Sequence, residues 1–213
     1  MSYSKKLDTT LYFITDSTGL SENEFTERIR SALRGGVTLL QIREKERSTK
    51  EYIHLAKTVH EITKEYGVPL IVDDRLDVAM ACDAEGVHLG GDDMDISDAR
   101  RIVGDDMIIG ATAKTVERAQ AAFRDGADYL GVGAIYPTST KVKTVLTSTE
   151  TLREICKAVP IPVNAIGGLN KNNLDILRGT GISGICTVSA IMRADSPEMA
   201  ARELLTLAKE ILK

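Results

Sequence analysis

The 213-residue chain has little cysteine: Cys82, Cys156 and Cys186 are widely separated, odd in number, and form no CxxC pair. This excludes a disulfide framework and a paired-thiol redox or metal motif, so the three read as small buried hydrophobes in a reducing cytoplasm. Long apolar runs are also missing. Nowhere do eighteen apolar residues stand together, and the opening "MSYSKKLDTT" lacks the apolar stretch of a secretory signal. The expectation is a soluble, cytoplasmic protein with no membrane partner. Basic charge is not in excess: 27 Lys and Arg against 31 Asp and Glu give a formal net charge of -4, with a pI near 5.5. That balance argues against nucleic acid as a partner, and any anionic ligand must be held by a few placed residues. Linkers are absent too. No Pro/Ser-rich stretch, charge block or low-complexity run divides the chain, which is read as one domain over 1–213.

What the sequence does contain is alternation. Short apolar runs begin at Leu11, Leu39, Leu70, Gly86, Met107, Tyr129, Pro162 and Gly184, and longer amphipathic segments follow them, the pattern of parallel strands joined by crossover helices. Ser21 with Glu24 and Ser48 with Glu51 fit capping boxes, and Ser196 before Pro197 fits an N-cap with a first-turn proline. Eight such units could build an open sheet or a closed barrel. The unusual polar residues fall at the carboxyl ends of at least six strands, which only a barrel brings to one mouth. The fold expected is a TIM (β/α)8 barrel.

In "LLQIREK" (39–45), period-two alternation puts Gln41 and Arg43 inside the barrel, with Leu40 and Ile42 against the helices. Arg43 could pair with a neighbouring strand's carboxylate; with Lys45 just beyond the strand, an anion-binding fork is the preferred reading. The next strand ends in "VDDR": if Val72 faces inward, Asp74 does too and Asp73 is opposite. "HLGGDDMD" then supplies Asp92, Asp93 and Asp95, of which Asp95 is best read as a helix cap. Carboxylates on adjacent strand ends beside Arg43 and Lys45 suggest Mg²⁺ shared with a phosphorylated ligand, because Mg²⁺ commonly takes one or two carboxylates and completes its shell with phosphate and water.

Further along, "GVGAIYPTSTK" pairs Gly131 and Gly133, which leave room for a planar ring, with a turn of hydroxyls ending in Lys141. "AIGGLN" places Gly167 and Gly168 before a helix expected to be capped by Asn170, and "TVSAI" follows the last strand. Loops after strands seven and eight are the habitual phosphate site of this barrel. His88 reads equally as a core histidine or a ligand contact, while His54 and His60 look solvent-facing. No Ser/His/Asp, Cys/His or zinc arrangement emerges, so the chemistry must rest on electrostatics and positioning.

Taken in order, "QIREK", "VDDRLDVA", "GVHLGGDD", "PTSTK" and "IGGLN" with "VSAI" resemble the successive motifs of the thiamine phosphate synthase family over nearly the whole chain. The resemblance implies a transferase that joins hydroxymethylpyrimidine diphosphate to a (carboxy)thiazole phosphate and releases diphosphate, with Mg²⁺ as cofactor. It further implies that Gln41, Arg43, Lys45, Asp73, Thr112 and Lys141 hold the pyrimidine diphosphate, with Glu44 also among the substrate-binding residues, and that Arg43, Lys45, Thr112 and Lys141 serve catalysis. Asp74 and Asp93 would bind the metal, and Thr138, Ser139, Thr140, Gly168, Val188 and Ser189 the thiazole phosphate. Asp73 stands where the family usually has Asn, Gly91 where it has Gln, Ala134 where Pro is common, and Lys114 where His is frequent. The alternatives are a tautomerase-like isomerase of the same superfamily and a non-catalytic thiamine-pathway binding protein. A homo-oligomer is compatible with all three.

Overall fold

The computed structural model describes residues 7–138 and 145–213. Eight parallel strands follow one another around a closed barrel: β1 (Leu11–Ile14), β2 (Leu39–Ile42), β3 (Leu70–Asp73), β4 (Gly86–Leu89), β5 (Ile108–Ala113), β6 (Tyr129–Gly133), β7 (Val163–Ile166) and β8 (Gly184–Thr187). The last pairs back onto the first, Leu11 opposite Ile185. Helices α1 (Glu22–Arg34), α2 (Thr49–Tyr66), α3 (Leu76–Ala81), α4 (Ile96–Val103), α5 (Val116–Arg124), α6 (Thr149–Ala158), α7 (Ser189–Met192) and α8 (Pro197–Ile211) cover the strands. The eight strands and their order along the chain are those the alternation predicts, and the closed barrel is the fold class that the polar strand ends favour over an open sheet.

Local chemistry sets several helix starts. Ser21 and Ser48 each accept from the backbone N–H three residues on, while Glu24 and Glu51 reach back, completing both capping boxes. Ser196 caps α8 with Pro197 in its first turn. Each such cap contributes roughly 1 kcal/mol. Asp95 occupies the N-cap position of α4 but makes no side-chain capping bond.

Two expectations fail here. The Gly167–Gly168 loop does not lead into an α-helix capped by Asn170. Asn170 N–H donates to Asn173 Oδ1 at 2.8 Å, Asn172 N–H donates to Asn170 Oδ1 at 3.0 Å, and Asn173 Nδ2 donates to Gly168 O at 2.9 Å. Asparagines bonded to nearby backbone compete with helical hydrogen bonds, and only a 3₁₀ turn follows, at Asp175–Leu177. His60 is buried, 2 % exposed, rather than solvent-facing. It belongs to the apolar stripe of Tyr52, Ala56, Val59 and Thr63, and its ring contacts Cys82 O at 2.9 Å and Glu85 Oε1 at 3.1 Å. His54 is exposed, and of the cysteines Cys82 and Cys186 are buried while Cys156 is half-buried.

Apolar packing forms two shells. The outer one joins the strands' outward residues, such as Leu40, Ile42 and Val72, to the helices. The inner one is small: Tyr12, Ile14, Leu39, Ile71, Ile108, Tyr129 and Cys186. At the opposite end of the barrel from the strands' carboxyl ends, Arg100 ties two αβ loops together. It donates to Gly104 O, Met107 O and Gly126 O, and to Asp128 Oδ2 at 2.6 Å, while Asp128 also accepts from Ile109 N–H. Arg100→Ala is expected to lower unfolding free energy by about 2–3 kcal/mol, since three carbonyls and a carboxylate lose their donor. Arg100→Lys should recover less than half, lacking the fork. Urea unfolding checks this through the midpoint at constant slope; a loss below roughly 0.5 kcal/mol would contradict it.

Candidate active site

The carboxyl ends of the strands surround a cavity of about 420 Å³. Its first side carries charge. Gln41 and Arg43 enter from β2, Lys45 from just beyond it, Asp73 and Asp74 from the end of β3, and Asp92 and Asp93 from the loop after β4. Its second side is built of small residues and hydroxyls: Gly133 and Ala134 with Thr138, then Gly167 and Gly168, then Thr187, Val188 and Ser189. Thr112 and Lys114 close the rim between them. Ser139, Thr140 and Lys141 lie outside the described residues.

The facing expected for β3 is corrected. Val72 packs outward among the helices, Ile71 joins the inner shell, and Asp73 is therefore the inward residue of the strand end. Asp74 reaches the same cavity because its backbone leaves the pleat, with φ 61°. A left-handed residue other than glycine is sparsely populated, and aspartate tolerates it better than bulkier side chains do. The kink is pinned: Asp74 N–H donates to His88 O and Arg75 N–H to Asp73 O, each at 2.8 Å.

Lys45 Nζ lies 2.8 Å from Asp73 Oδ2 and also contacts Asp74 Oδ2, while Arg43 Nε stands 3.8 Å from Asp73 Oδ2. Burial, followed by repulsion from Asp74, pushes the Asp73 carboxyl up to about 6 even though Lys45 and Arg43 oppose the rise. Burial alone would pull the Lys45 ammonium down; the Asp73 and Asp74 charges outweigh it and hold it above its ordinary value. Burial and Asp74 likewise raise Asp93, although Gly90 N–H donates to its Oδ2 at 2.7 Å. Among the described residues no three His, Cys, Asp or Glu side chains converge as a ready-made metal cage. Asp74 and Asp93 repel each other across a short gap, and a divalent cation held by the two would relieve that repulsion.

Glu44 is not part of the cavity wall. Its Oε2 accepts from Ser17 Oγ at 2.9 Å and Arg47 Nε at 3.0 Å, bracing the loops after β1 and β2. His88 is both core and rim: its Nδ1 meets Tyr129 OH at 3.1 Å and its Nε2 meets Thr112 Oγ1 at 3.0 Å, and enclosure by the barrel pushes its pKa down to about 4. Three inward residues escaped sequence reasoning. Tyr12, on the cavity wall, and Tyr129, buried beneath it, receive no role there, although period two from Ile14 and Gly131 turns both inward. Thr187 has a buried hydroxyl with no hydrogen-bond partner among the described residues, at the small-residue end of the cavity.

At the second end Gly168 takes φ +66°, and a Cβ there would lie 2.7 Å from Pro137 O, so the loops after β6 and β7 touch only because the residue is glycine. Val188 and Ser189 open α7, whose first amides have no acceptor within the helix. The cavity can thus offer cations and carboxylates at one end, and backbone and hydroxyl donors at the other.

A family model described as "Thiamine monophosphate synthase" matches residues 11–191, from β1 into α7. "Thiamine-phosphate synthase 2" of Streptococcus pneumoniae is 48% identical over 202 residues, covering 95% of this chain and 96% of its own. "Thiamine-phosphate synthase" of Clostridium tetani is 46% identical over 202 residues, covering 95% and 97%. The solved structure of a thiamine phosphate pyrophosphorylase from Pyrococcus furiosus superposes with a TM-score of 0.88 at 42% identity, over 97% of this chain and 98% of that one. Agreement of this extent, in sequence and backbone alike, means that the chain belongs to the thiamine monophosphate synthase family.

Proposed function

We propose that this transferase of thiamine biosynthesis works by a Mg²⁺-dependent dissociative reaction between hydroxymethylpyrimidine diphosphate and a (carboxy)thiazole phosphate. The observation that carries the reading is the division of one cavity into a charged end, which suits a diphosphate together with its metal, and an end of hydroxyl and backbone donors, with no activated nucleophile between them among the described residues. Cys186 borders the cavity, but burial pushes its thiol far up, which keeps it protonated.

On this reading Arg43 and Lys45 hold the diphosphate, with Lys141 as a further cation, and Asp74 and Asp93 would hold the Mg²⁺. When bound, the metal neutralises charge on the departing diphosphate. Gln41 orients the pyrimidine, and Thr112 meets its diphosphate. Thr138, Gly168, Val188 and Ser189, together with Ser139 and Thr140, hold the thiazole phosphate. The carbon–oxygen bond to the diphosphate breaks with its electron pair leaving on oxygen, and the electron-rich aminopyrimidine carries the positive charge. The thiazole nitrogen lone pair then forms the carbon–nitrogen bond. No side chain gives or takes a proton in either step, so the protein contributes positioning and charge stabilisation. A tautomerase would have no use for the set Arg43, Lys45, Asp74 and Asp93.

The reading is tested by turnover of both substrates. Activity should vanish on chelation of Mg²⁺ and return on its addition. Asp93→Ala should lower kcat by about 10²-fold or more with the fold retained, since the interaction acts on charge that develops as the bond breaks. Near-normal kcat for Asp93→Ala in saturating Mg²⁺ would count against the metal assignment.

Asp73 generates a second expectation. Its folded pKa, about 6, lies above the value near 3.9 of an unfolded chain. The unliganded fold therefore binds more protons than the unfolded chain between about pH 4 and 6. Asp73's contribution is full below that window and is lost as pH rises through it. Relative to Asp73→Asn, the wild type should lose ~1–3 kcal/mol of unfolding free energy from pH 4 to pH 7. Urea unfolding of both proteins across that range provides the measurement, and parallel stability curves would refute it.

A further inference from the structure

Gln41 on β2 and Thr112 on β5 stand on opposite sides of the cavity floor, and a continuous line of hydrogen bonds joins them through the barrel interior. Gln41 Nε2 lies 2.6 Å from Tyr12 OH, and Tyr12 OH lies 2.7 Å from Tyr129 OH. Tyr129 OH lies 3.1 Å from His88 Nδ1, and His88 Nε2 lies 3.0 Å from Thr112 Oγ1. The two phenols are at most 1% exposed and meet edge to face, their centroids 5.6 Å apart. Gly110 makes the line possible, because a Cβ there would collide with the Tyr129 ring and hydroxyl and come within 2.6 Å of His88 Nδ1.

Each hydroxyl in the line has one proton, and a neutral imidazole has one donor and one acceptor nitrogen. The bonds must therefore run in one direction together. In the first order Gln41 donates to Tyr12, Tyr12 to Tyr129, Tyr129 to His88 Nδ1, and His88 Nε2–H to Thr112. Gln41 then shows the cavity its oxygen, Oε1, which has no protein partner among the described residues, and Thr112 keeps its own proton for a ligand. Turning the Gln41 amide over reverses every bond: Gln41 shows its NH₂ instead, and the Thr112 proton is used on His88. A mixed order leaves a buried hydroxyl proton without an acceptor, or sets two lone pairs against each other.

We infer that this line is a polarity relay, and that Tyr12, Tyr129 and His88 are positioning residues which make the site specific for an amino-substituted rather than an oxo-substituted pyrimidine. The inference rests on the proposed placement of the pyrimidine against Gln41 and its diphosphate near Thr112. An anionic oxygen beside Thr112 draws the hydroxyl proton outward, so Thr112 must accept from His88. That direction passes through the two phenols to Gln41, whose oxygen is left to accept from an exocyclic amine. One end of the substrate thus sets the hydrogen-bonding character that the site shows the other end.

The test measures binding, with Mg²⁺ present and no thiazole partner, of two probes: the hydroxymethyl-aminopyrimidine monophosphate and its counterpart in which a ring carbonyl replaces the amine. Wild type should prefer the amino probe by at least roughly tenfold. Tyr12→Phe frees the Gln41 amide to rotate, and the preference should collapse toward parity. Tyr129→Phe and His88→Leu act differently. Each deprives Tyr12 of its onward direction, its proton turns to Gln41 Oε1, and the preference should reverse toward the oxo probe. A role in packing alone would weaken both probes alike and leave their ratio unchanged. Retention of the wild-type ratio by Tyr129→Phe and His88→Leu overturns the relay, even if Tyr12→Phe loses it, because Tyr12 would then act on Gln41 by itself. A wild type without preference overturns it as well. Retention of the ratio by Gln41→Ala instead overturns the placement of the ring against Gln41, so the two failures are distinguishable.

Discussion

Closure of the sheet is the constraint from which everything else in this molecule follows. Strands of four to six residues, all parallel, must send every carboxyl end to the same rim once β8 pairs with β1. Period two then gives each strand only one or two inward side chains near that rim. Gln41, Asp73, His88 and Thr112 are neighbours for this reason, although 71 positions separate the first from the last. Rim residues beyond the pleat, such as Lys45 and Asp74, complete the wall from loops, where backbone can bend to aim a side chain.

That same geometry explains what could be read from the sequence. Apolar runs of the right length, with amphipathic segments between them, carry the strand order, because outward faces must pack on helices and inward faces must fill a narrow core. The motif residues at the strand ends follow from the same register. What escaped was decided by tertiary contact. His60 looked like a surface residue by type, yet its position in the stripe of α2 is a buried one, and Cys82 O and Glu85 supply its partners. Asp73 and Asp74 exchanged faces because β3 begins one pleat step from the phase assumed, and a left-handed φ at Asp74 returned the second carboxylate to the cavity. Asn170 was expected to cap a helix, and the side chain to backbone bonds of Asn170 and Asn173 that replace it could not be resolved from residue identities.

The charged end of the cavity is under tension in its present arrangement. Lys45 is shared between two carboxylates, Asp73 is buried against the second of them, and Asp93 is raised by the same neighbour. Two cations, Arg43 and Lys45, face three carboxylates within a small low-dielectric volume. A ligand that brought only negative charge would be repelled by this set, and a metal alone would leave the cations without a task. On the proposed reading a diphosphate together with a divalent cation answers both, its oxygens meeting Arg43 and Lys45 while Asp74 and Asp93 would hold the metal. The carboxylate at Asp73 adds negative charge on the Arg43 and Lys45 side of the balance.

Tyr12 and Tyr129 are the largest side chains of the small inner shell, and their contact across the barrel is what gives the pair its reach. A floor of leucine and valine would support the rim equally well but would leave Gln41 and Thr112 to take up donor or acceptor roles independently. Two phenols in contact convert the floor into a directional element, because a hydroxyl proton committed on one side is unavailable on the other. Gly110 shows that room was made for this arrangement rather than for more apolar filling, since any side chain there would displace the Tyr129 hydroxyl from His88. On the proposed reading, orientation of the pyrimidine and neutralisation of its leaving group are not two separate properties of the mouth, because the line through the barrel's core couples them.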